Sequence, residues 1–215
     1  MEIKSTWNRR YEEQDFWNQW YDDQGGVLVE WTVPACQAII SQVQRLLEAV
    51  ELRPGAQKLQ LCELGCGTSS LAVAFASGTV DVVGVDYSQA AIACNMKRHP
   101  ELEWRCCDVL KLSEAFDVGR FDVVVAKTLL DCFLSHGDAE ADLRCMFQQI
   151  RHVLSDSGHL VLFDRTRCSQ FIRAGQLEEL IIREDRKKKK INCRTLRPAN
   201  PATDIQRQTG GAEDI

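Results

Sequence analysis

Two apolar runs constrain the fold of this chain more than any other feature of its sequence. Residues 80–85 and 121–126 are rich in valine and show little of the alternation between apolar and polar positions that marks a half-exposed strand. Strands of this kind are expected where helices cover both faces of a parallel sheet. The two runs therefore predict a fold of the α/β class.

Predicted strands and helices alternate between residues 34 and 163. An amphipathic helix begins at Pro34 and ends before Arg53-Pro54-Gly55. Strands are expected at residues 59–64, 80–85, 101–107, 121–126 and 159–163. Further helices are expected at residues 70–77, at 89–98 after the capping residue Ser88, and after Asp138. This order predicts a doubly wound, Rossmann-like and mostly parallel sheet with helices on both faces.

The length of 215 residues predicts one domain with an extension at each end. We assign the domain to residues 34–197, within which residues 177–184 and 191–196 predict an antiparallel C-terminal hairpin. Residues 1–33 hold four of the five tryptophans, and such side chains must either pack onto the domain or close over a ligand. Residues 198–215 have no apolar periodicity and are expected to form a disordered tail.

Composition and charge exclude several classes of protein. No run approaches the roughly 18 apolar residues of a membrane-spanning helix. The formal net charge of −5 argues against a domain that mainly grips nucleic acid. The ten cysteines include no CxxC pair and the four histidines have no paired-ligand spacing, so we expect no metal site. Reduced cysteines, and an N-terminal stretch unlike a transit or signal peptide, favour a cytoplasmic location.

A glycine-rich turn follows the first predicted strand. Gly65 and Gly67 can adopt backbone angles barred to other residues and let a ligand approach the main chain. Asp86 comes 21 residues after Gly65, at the end of the second strand, where a carboxylate can accept both hydroxyls of a ribose. Ser70 replaces the third glycine of the dinucleotide pattern, which favours a nucleoside without a pyrophosphate. The alternative is a turn that only tightens the junction between strand and helix.

Three motifs follow the first three predicted strands, namely Glu63-x-Gly65-x-Gly67-Thr68, Asp86-Tyr87-Ser88 and Cys107-Asp108-Val109. Together they resemble motifs of the class I, seven-stranded S-adenosylmethionine-dependent methyltransferases, and the resemblance spans residues 59–164. It implies the cofactor S-adenosyl-L-methionine, with the glycine turn facing its methionine part, Asp86 its ribose and Asp108 its adenine amino group. The residues so assigned to the cofactor are Trp7, Arg10, Glu63, Gly65, Cys66, Gly67, Asp86, Tyr87, Asp108, Val109 and Lys127.

The stretch Lys127-Thr128-Leu129-Leu130-Asp131, with Trp7-x-x-Arg10-Tyr11 and Glu30-Trp31, resembles a narrower group. That group holds the eukaryotic elongation-factor-1A and citrate-synthase lysine methyltransferases. The resemblance implies a protein substrate with a lysine acceptor, and it gives Asp131 the catalytic role of holding the acceptor amine. Two departures are the missing glycine after Lys127 and the run at residues 155–158, which replaces a Pro-Gly-Gly turn.

Two other functions stay open at this stage. One is a methyltransferase for a small molecule, and the other is a catalytically silent S-adenosylmethionine-binding partner subunit. The N-terminal aromatic segment also has two interpretations. Trp7, Arg10, Tyr11 and Trp31 are expected either to form a lid over cofactor and acceptor or to belong to a segment that covers a face of the sheet. A packed flap can do both.

Overall fold

The computed structural model describes residues 14–25, 33–68, 71–133, 139–164, 177–180 and 192–198. Its helices are α1 (Gln14–Asp23), α2 (Val33–Ala49), α3 (Leu71–Phe75), α4 (Gln89–Arg98), α5 (Leu112–Ala115), α6 (Leu129–Phe133) and α7 (Ala139–Val153). Its strands are β1 (Leu59–Leu64), β2 (Val80–Asp86), β3 (Glu103–Cys106), β4 (Phe121–Lys127), β5 (Leu154–Asp164), β6 (Leu177–Leu180) and β7 (Asn192–Pro198). A 3-10 turn at Val109–Lys111 precedes α5.

The strands form one sheet in the order β3-β2-β1-β4-β5-β7-β6. Strands β1 to β5 are parallel to one another, whereas β7 pairs antiparallel with both β5 and β6. The chain winds outwards from β1 in one direction through β2 and β3, and in the other through β4 and β5. The predicted doubly wound sheet, with its antiparallel C-terminal pair, is therefore confirmed, and the switch point lies between β1 and β4.

Helices cover both faces of the sheet, as the valine runs predict. On one face Leu64, Val124 and Leu162 pack against apolar residues of α6 and α7. On the other face Leu61 and Val125 pack against residues of α2, α3 and α4. Every residue of β4 is buried, which explains why its sequence shows no alternation. The two layers hold the parallel strands rigidly and align their carboxyl ends at one edge.

A glycine interrupts the valines of β2 because a tryptophan lies across it. Gly84 pairs with Trp104 of β3, and a Cβ on Gly84 would overlap the Trp104 indole ring. The indole N–H donates to the backbone oxygen of His99, at 2.9 Å, and thereby satisfies its polar group. Trp104 is the one tryptophan outside residues 1–33. It lies on β3, the edge strand, and belongs to the hydrophobic core on one face of the sheet.

Several element boundaries differ from the predicted ones: β3 is shorter than predicted, and β6 is described only over Leu177–Leu180. Strand β5 starts at Leu154 and not at residue 159, because a register shift lets Leu154 pair with Phe121 before His159 pairs with Val123. Helix α3 is shorter than predicted. Strand β7 runs through Pro198, which pairs with Leu177 of β6, so it extends past the predicted strand end at residue 196. Residues 199–215 lie outside the described part of the chain.

The opposite, amino-terminal edge of the sheet holds a buried ion pair. The Arg53 Nε lies 2.7 Å from an Asp122 carboxylate oxygen, and Asp122 is buried while Arg53 is partly exposed. The other Asp122 oxygen accepts the backbone N–H of Gln60 at 2.9 Å. This cluster ties the loop before β1 to β4, on the side of the sheet away from the glycine turn.

A strained residue stands between β4 and α6. Thr128 has a φ of 58°, the one positive φ of a non-glycine residue in the part of the chain that the structure describes. Its N–H donates to the Phe163 oxygen at 2.8 Å, and its hydroxyl donates to the Lys127 oxygen at 2.7 Å. Threonine is branched at Cβ, so this left-handed conformation is costly.

Replacing Thr128 with glycine should stabilise the fold. Release of the left-handed strain, about 1–2 kcal/mol, exceeds the added flexibility of glycine in the unfolded chain, about 0.5–1 kcal/mol. We expect chemical denaturation to give a free energy of unfolding about 0.5–1 kcal/mol higher. The matched control is Thr79→Gly, at an exposed turn residue without positive φ, which should destabilise. A loss of stability in Thr128→Gly equal to that of the control would contradict the assigned conformation.

Candidate functional site

The candidate site lies at the carboxyl edge of the parallel strands, where β1 lies between β2 and β4. Ligands of doubly wound sheets bind at such a switch point. The turn that leaves β1 contains Gly65 with a φ of 64° and Gly67 with a φ of 50°. Both angles are left-handed, so both positions favour glycine. The Cys66 N–H donates to the Val85 oxygen at 3.0 Å and ties the turn to β2.

Asp86, the last residue of β2, is bound to this turn. Its Oδ2 accepts the Gly67 N–H at 2.8 Å, and its Oδ1 accepts the Ser88 N–H at 2.8 Å. The residue is only 7% exposed. Burial raises the pKa of the Asp86 carboxyl, and the hydrogen bonds from Ser88 and Gly67 oppose that shift. The folded protein therefore favours the protonated form of Asp86. The contribution of Asp86 to the free energy of unfolding is complete below the ordinary carboxyl pKa and is lost as the pH rises through the raised pKa.

The Asp86 carboxylate retains capacity for a ligand. A carboxylate has about four acceptor positions, and the Gly67 and Ser88 N–H groups occupy one on each oxygen. The Tyr87 N–H also hydrogen-bonds to this carboxyl, so about one acceptor position is left. The carboxylate beside the glycine turn can therefore still accept a hydroxyl of a ribose.

The other predicted residues of the β1 motif are buried under the turn. Glu63 lies within β1, flanked in the sheet by Gly84 and Val125, and is 1% exposed. Cys66 is 2% exposed, and burial, reinforced by the negative charges of Asp86 and Glu63, raises the pKa of its thiol. Cys66 is thus a neutral, packed thiol, and it has none of the electropositive surroundings of a reactive cysteine.

The residues predicted to flank the adenine ring of the cofactor lie just after β2 and β3. Asp108 follows β3 and accepts the Leu110 N–H at 2.9 Å, which makes it the N-cap of the 3-10 turn. The Asp108 Oδ1 thus caps the 3-10 turn, and the capping bond does not use the Oδ2. Val109 is buried and Tyr87 is half-buried. The structure brings this group to the same sheet edge as Asp86, because β2 and β3 are neighbouring parallel strands.

The β4 end supplies Lys127 and Asp131. Lys127 is the last residue of β4, is 5% exposed and pairs with Phe163 of β5. Asp131 lies in α6 and is half-buried. Helix α6 packs directly on the glycine turn, since a Cβ on Gly65 would lie 3.0 Å from the Leu129 Cδ1. Asp131 therefore follows Leu129, the residue that contacts the glycine turn, by two positions in the same helix.

Helix α1 covers the site, and sequence reasoning did not identify its contacts. The Asn18 Oδ1 accepts the Ser88 hydroxyl at 2.9 Å and the Ala90 N–H at 3.4 Å, and the Gln14 Nε2 donates to the Tyr87 oxygen. The Tyr21 hydroxyl occupies the space where a Cβ on Gly67 would stand. The helical spacing of Trp17 and Tyr21 was the signal that could have revealed a buried face.

The buried face of α1 belongs to an aromatic cluster. Trp17 and Tyr21 stack with their ring centroids 6.0 Å apart, and both are buried against Ala91 of α4. Tyr87 and Cys132 pack against the same cluster, which joins α1 to the end of β2 and to α6. A part of the predicted N-terminal segment therefore does pack onto the domain. Trp7, Arg10, Tyr11 and Trp31, the residues predicted to form the lid, lie outside the described residues.

Two absences hold within the described ranges. Those residues contain no group of three or more histidine, cysteine, aspartate or glutamate side chains that could hold a metal ion. They also contain no helix that is long and apolar enough to cross a membrane.

Gly67→Ala should destabilise the protein through two separate costs. The new Cβ overlaps the Tyr21 hydroxyl and forces alanine into a left-handed conformation, for a total of about 2–4 kcal/mol. Adding Tyr21→Phe should recover about 1 kcal/mol, measured as the coupling energy of a double-mutant cycle. The matched control is Gly119→Ala, because Gly119 also has a positive φ but its Cβ would meet only the Ser155 Cα at 3.7 Å. Zero coupling between Gly67 and Tyr21 would refute the contact.

Comparison with known proteins places this site in a family. A methyltransferase-domain family model matches residues 56–209, which is more than half of the chain. No curated protein matches the chain in sequence. A TehB-like SAM-dependent methyltransferase from Corynebacterium glutamicum shares the fold over 77% of this chain and 99% of its own, at 15% identity and a TM-score of 0.55.

Two further solved structures share the fold. The citrinin polyketide synthase CMeT domain is similar over 77% of this chain and 52% of its own, at 14% identity and a TM-score of 0.61. An S-adenosylmethionine-dependent methyltransferase from Clostridium acetobutylicum is similar over 66% of this chain and 84% of its own, at 12% identity and a TM-score of 0.54. The chain belongs to the methyltransferase-domain family, whose fold implies S-adenosylmethionine as the methyl donor.

Proposed function

We propose that this protein binds S-adenosylmethionine across the carboxyl edge of its sheet and transfers the methyl group to the side-chain amine of a protein lysine. The observation that carries the donor site is the Asp86 carboxylate, which is buried beside the glycine turn and held there by backbone N–H groups of the turn and of the residues after β2. In this proposal Asp86 holds the ribose hydroxyls, the glycine turn faces the methionine part, and Asp108 with Tyr87 and Val109 flanks the adenine.

The chemistry places modest demands on the protein. The cofactor supplies an electrophilic methyl group on a positive sulfur, and transfer to an amine is an in-line displacement. The chain has to align donor and acceptor and to exclude water, for which a rigid edge covered by α1 is suited. Lys127, buried at the end of β4, holds the loop that leads to α6 in place.

The acceptor lysine must lose its proton before it reacts. Its ordinary pKa of about 10.4 means that neutralisation at pH 7 costs about 4–5 kcal/mol. A nearby positive sulfur and burial both favour the neutral amine, whereas a carboxylate opposes it. We therefore give Asp131 the role of orienting the amine and not that of a base.

Support for a lysine acceptor comes from the turn before α6. The lysine methyltransferases that this chain resembles have a glycine after the residue matched by Lys127, and this chain has Thr128 there. Thr128 nevertheless adopts a φ of 58°, the conformation for which glycine is favoured. A glycine could thus occupy this position without a change of the backbone that presents Asp131, so the different residue type does not count against the resemblance.

A second candidate is a methyltransferase for a small molecule. The CMeT domain of the citrinin polyketide synthase and the CurJ carbon methyltransferase both share this fold. At 14% identity each, these likenesses speak for the fold, so the acceptor has to be decided by experiment.

Asp86→Asn should weaken the binding of S-adenosylmethionine about 10- to 100-fold, measured by isothermal titration calorimetry. The amide has one acceptor oxygen in place of two and no charge, so it cannot serve the turn and a diol together. The matched control is Asp81→Asn on the same strand, where the carboxylate is exposed and pairs with Lys58 at 2.8 Å. Unchanged affinity in Asp86→Asn would refute the assignment of the ribose site.

The same site predicts a pH dependence. Because burial raises the pKa of Asp86, this carboxyl takes up a proton at a higher pH than an exposed aspartate. Affinity for S-adenosylmethionine should therefore fall as the pH drops through that raised pKa, and the fall should vanish in Asp86→Asn. Asp81→Asn should retain it, since the hydrogen bond from Lys58 lowers the pKa of Asp81.

The acceptor class is tested with methyl-labelled S-adenosylmethionine and a cell lysate. We expect a labelled protein band that releases methylated lysine on hydrolysis. Label confined to small solutes would replace the lysine proposal with the small-molecule one. Binding of the cofactor without any label transfer would indicate a silent partner subunit.

Asp131→Asn should lower turnover in this assay by about 100-fold while cofactor affinity changes little, because a misplaced acceptor costs rate and not donor binding. Asp142→Asn, at an exposed aspartate of α7, is the control and should keep full turnover. Full turnover in Asp131→Asn would remove Asp131 from the site.

A further inference from the structure

Two buried side chains form hydrogen bonds with the backbone of Gly67, one with its N–H and one with its oxygen. The Gly67 N–H donates to the Asp86 Oδ2 at 2.8 Å, and the Gly67 oxygen accepts from the Asn95 Nδ2 at 2.7 Å. These two groups belong to the two successive peptide units that meet at the Gly67 Cα. Fixing both units fixes the φ and ψ of the residue between them, which for glycine are otherwise free.

Asn95 has no evident packing reason to be polar. It lies on α4 on the buried side that also carries Ala91 and Ile92, and it is 1% exposed. An amide in such surroundings is costly unless it is hydrogen-bonded. Its Nδ2 has the Gly67 oxygen as its close partner, and the Cys66 sulfur lies farther away at 3.8 Å. The Asn95 amide nitrogen is therefore directed at two neighbouring residues of the glycine turn.

The grip on Gly67 also determines the position of Asp86. One Asp86 oxygen is held by the Ser88 N–H and the other by the Gly67 N–H, so a rotation at Gly67 would release one of the two. The carboxylate would then keep only its bonds to the Ser88 and Tyr87 N–H groups, and the oxygen that faces the glycine turn would lose its fixed position. Asn95 thus acts on the Asp86 carboxylate through Gly67, because the amide of Asn95 is hydrogen-bonded to Gly67.

We propose that Asn95 is a positioning residue for the donor site: it locks the Gly67 backbone and thereby presets the Asp86 carboxylate to accept the cofactor diol. This inference rests on the proposed function, since it deepens the role given there to the glycine turn and Asp86. A preset acceptor spares the ligand the cost of ordering the turn, which is a gain in affinity and not in the chemical step.

The test compares Asn95→Leu with Asp122→Asn. Leucine keeps the branching at Cγ and the number of side-chain heavy atoms of asparagine and removes the donor, while Asp122→Asn disturbs a buried polar cluster at the opposite edge of the sheet. Both variants should melt at a lower temperature than the unaltered protein. Asn95→Leu should also raise the Kd and the KM for S-adenosylmethionine about tenfold, with kcat at saturating donor within about twofold. Asp122→Asn should leave the Kd and the KM unchanged.

The outcomes separate this inference from the proposed function. If the unaltered protein does not bind S-adenosylmethionine, the proposed function is overturned and the inference with it. If the unaltered protein binds the cofactor and Asn95→Leu binds it equally well while melting lower, Asn95 is only structural and the inference alone is overturned.

A measurement on the unaltered protein decides the matter if Asn95→Leu does not fold. Hydrogen exchange followed by NMR should show the Gly67 amide protected in the absence of cofactor, because the turn is already locked. Exchange of that amide at the rate of an exposed loop, with protection only after S-adenosylmethionine is added, would overturn the preset turn.

Discussion

The hydrogen bond from the Gly67 N–H to the Asp86 carboxylate is the contact on which the candidate site depends. It joins the turn after β1 to the last residue of β2. Strands β1 and β2 are neighbours and end at the same edge of the sheet. Without it the turn would be tied to β2 only through the Cys66 N–H, and the carboxylate would be held only by the residues that follow it in the chain. With it, a carboxyl whose burial raises its pKa is held in one orientation beside the glycine turn.

Helix α1 changes the meaning of the glycine pattern. A glycine in such a turn is usually explained by a ligand that approaches the backbone, and Gly65 and Gly67 were interpreted in that way. At Gly67 the space of the missing side chain is filled by the Tyr21 hydroxyl, and at Gly65 the nearest neighbour is Leu129. The small residues therefore serve the packing of α1 and α6 on the turn, and a ligand would bind beside these helices.

The departure at Thr128 shows that backbone conformation and residue type are separable. The conformation is fixed by tertiary contacts, since the Thr128 N–H bonds to Phe163 of the neighbouring strand while α6 packs on the glycine turn. Those contacts hold a branched residue where glycine would be easier. A missing glycine therefore does not by itself show that the backbone of this turn has changed.

The sequence alone determined the class of fold and the order of its elements. Valine runs without alternation, a capped helix at residues 89–98 and a Gly-x-Gly turn after the first strand are local signals, and each was placed correctly. The sequence also brought Asp86 to the strand end nearest the turn. Only the tertiary structure showed that Asn95 grips Gly67, that Tyr21 covers it and that β5 starts at Leu154. These features join residues far apart in the chain, and whether they meet depends on how helices pack on the sheet, which no local periodicity records.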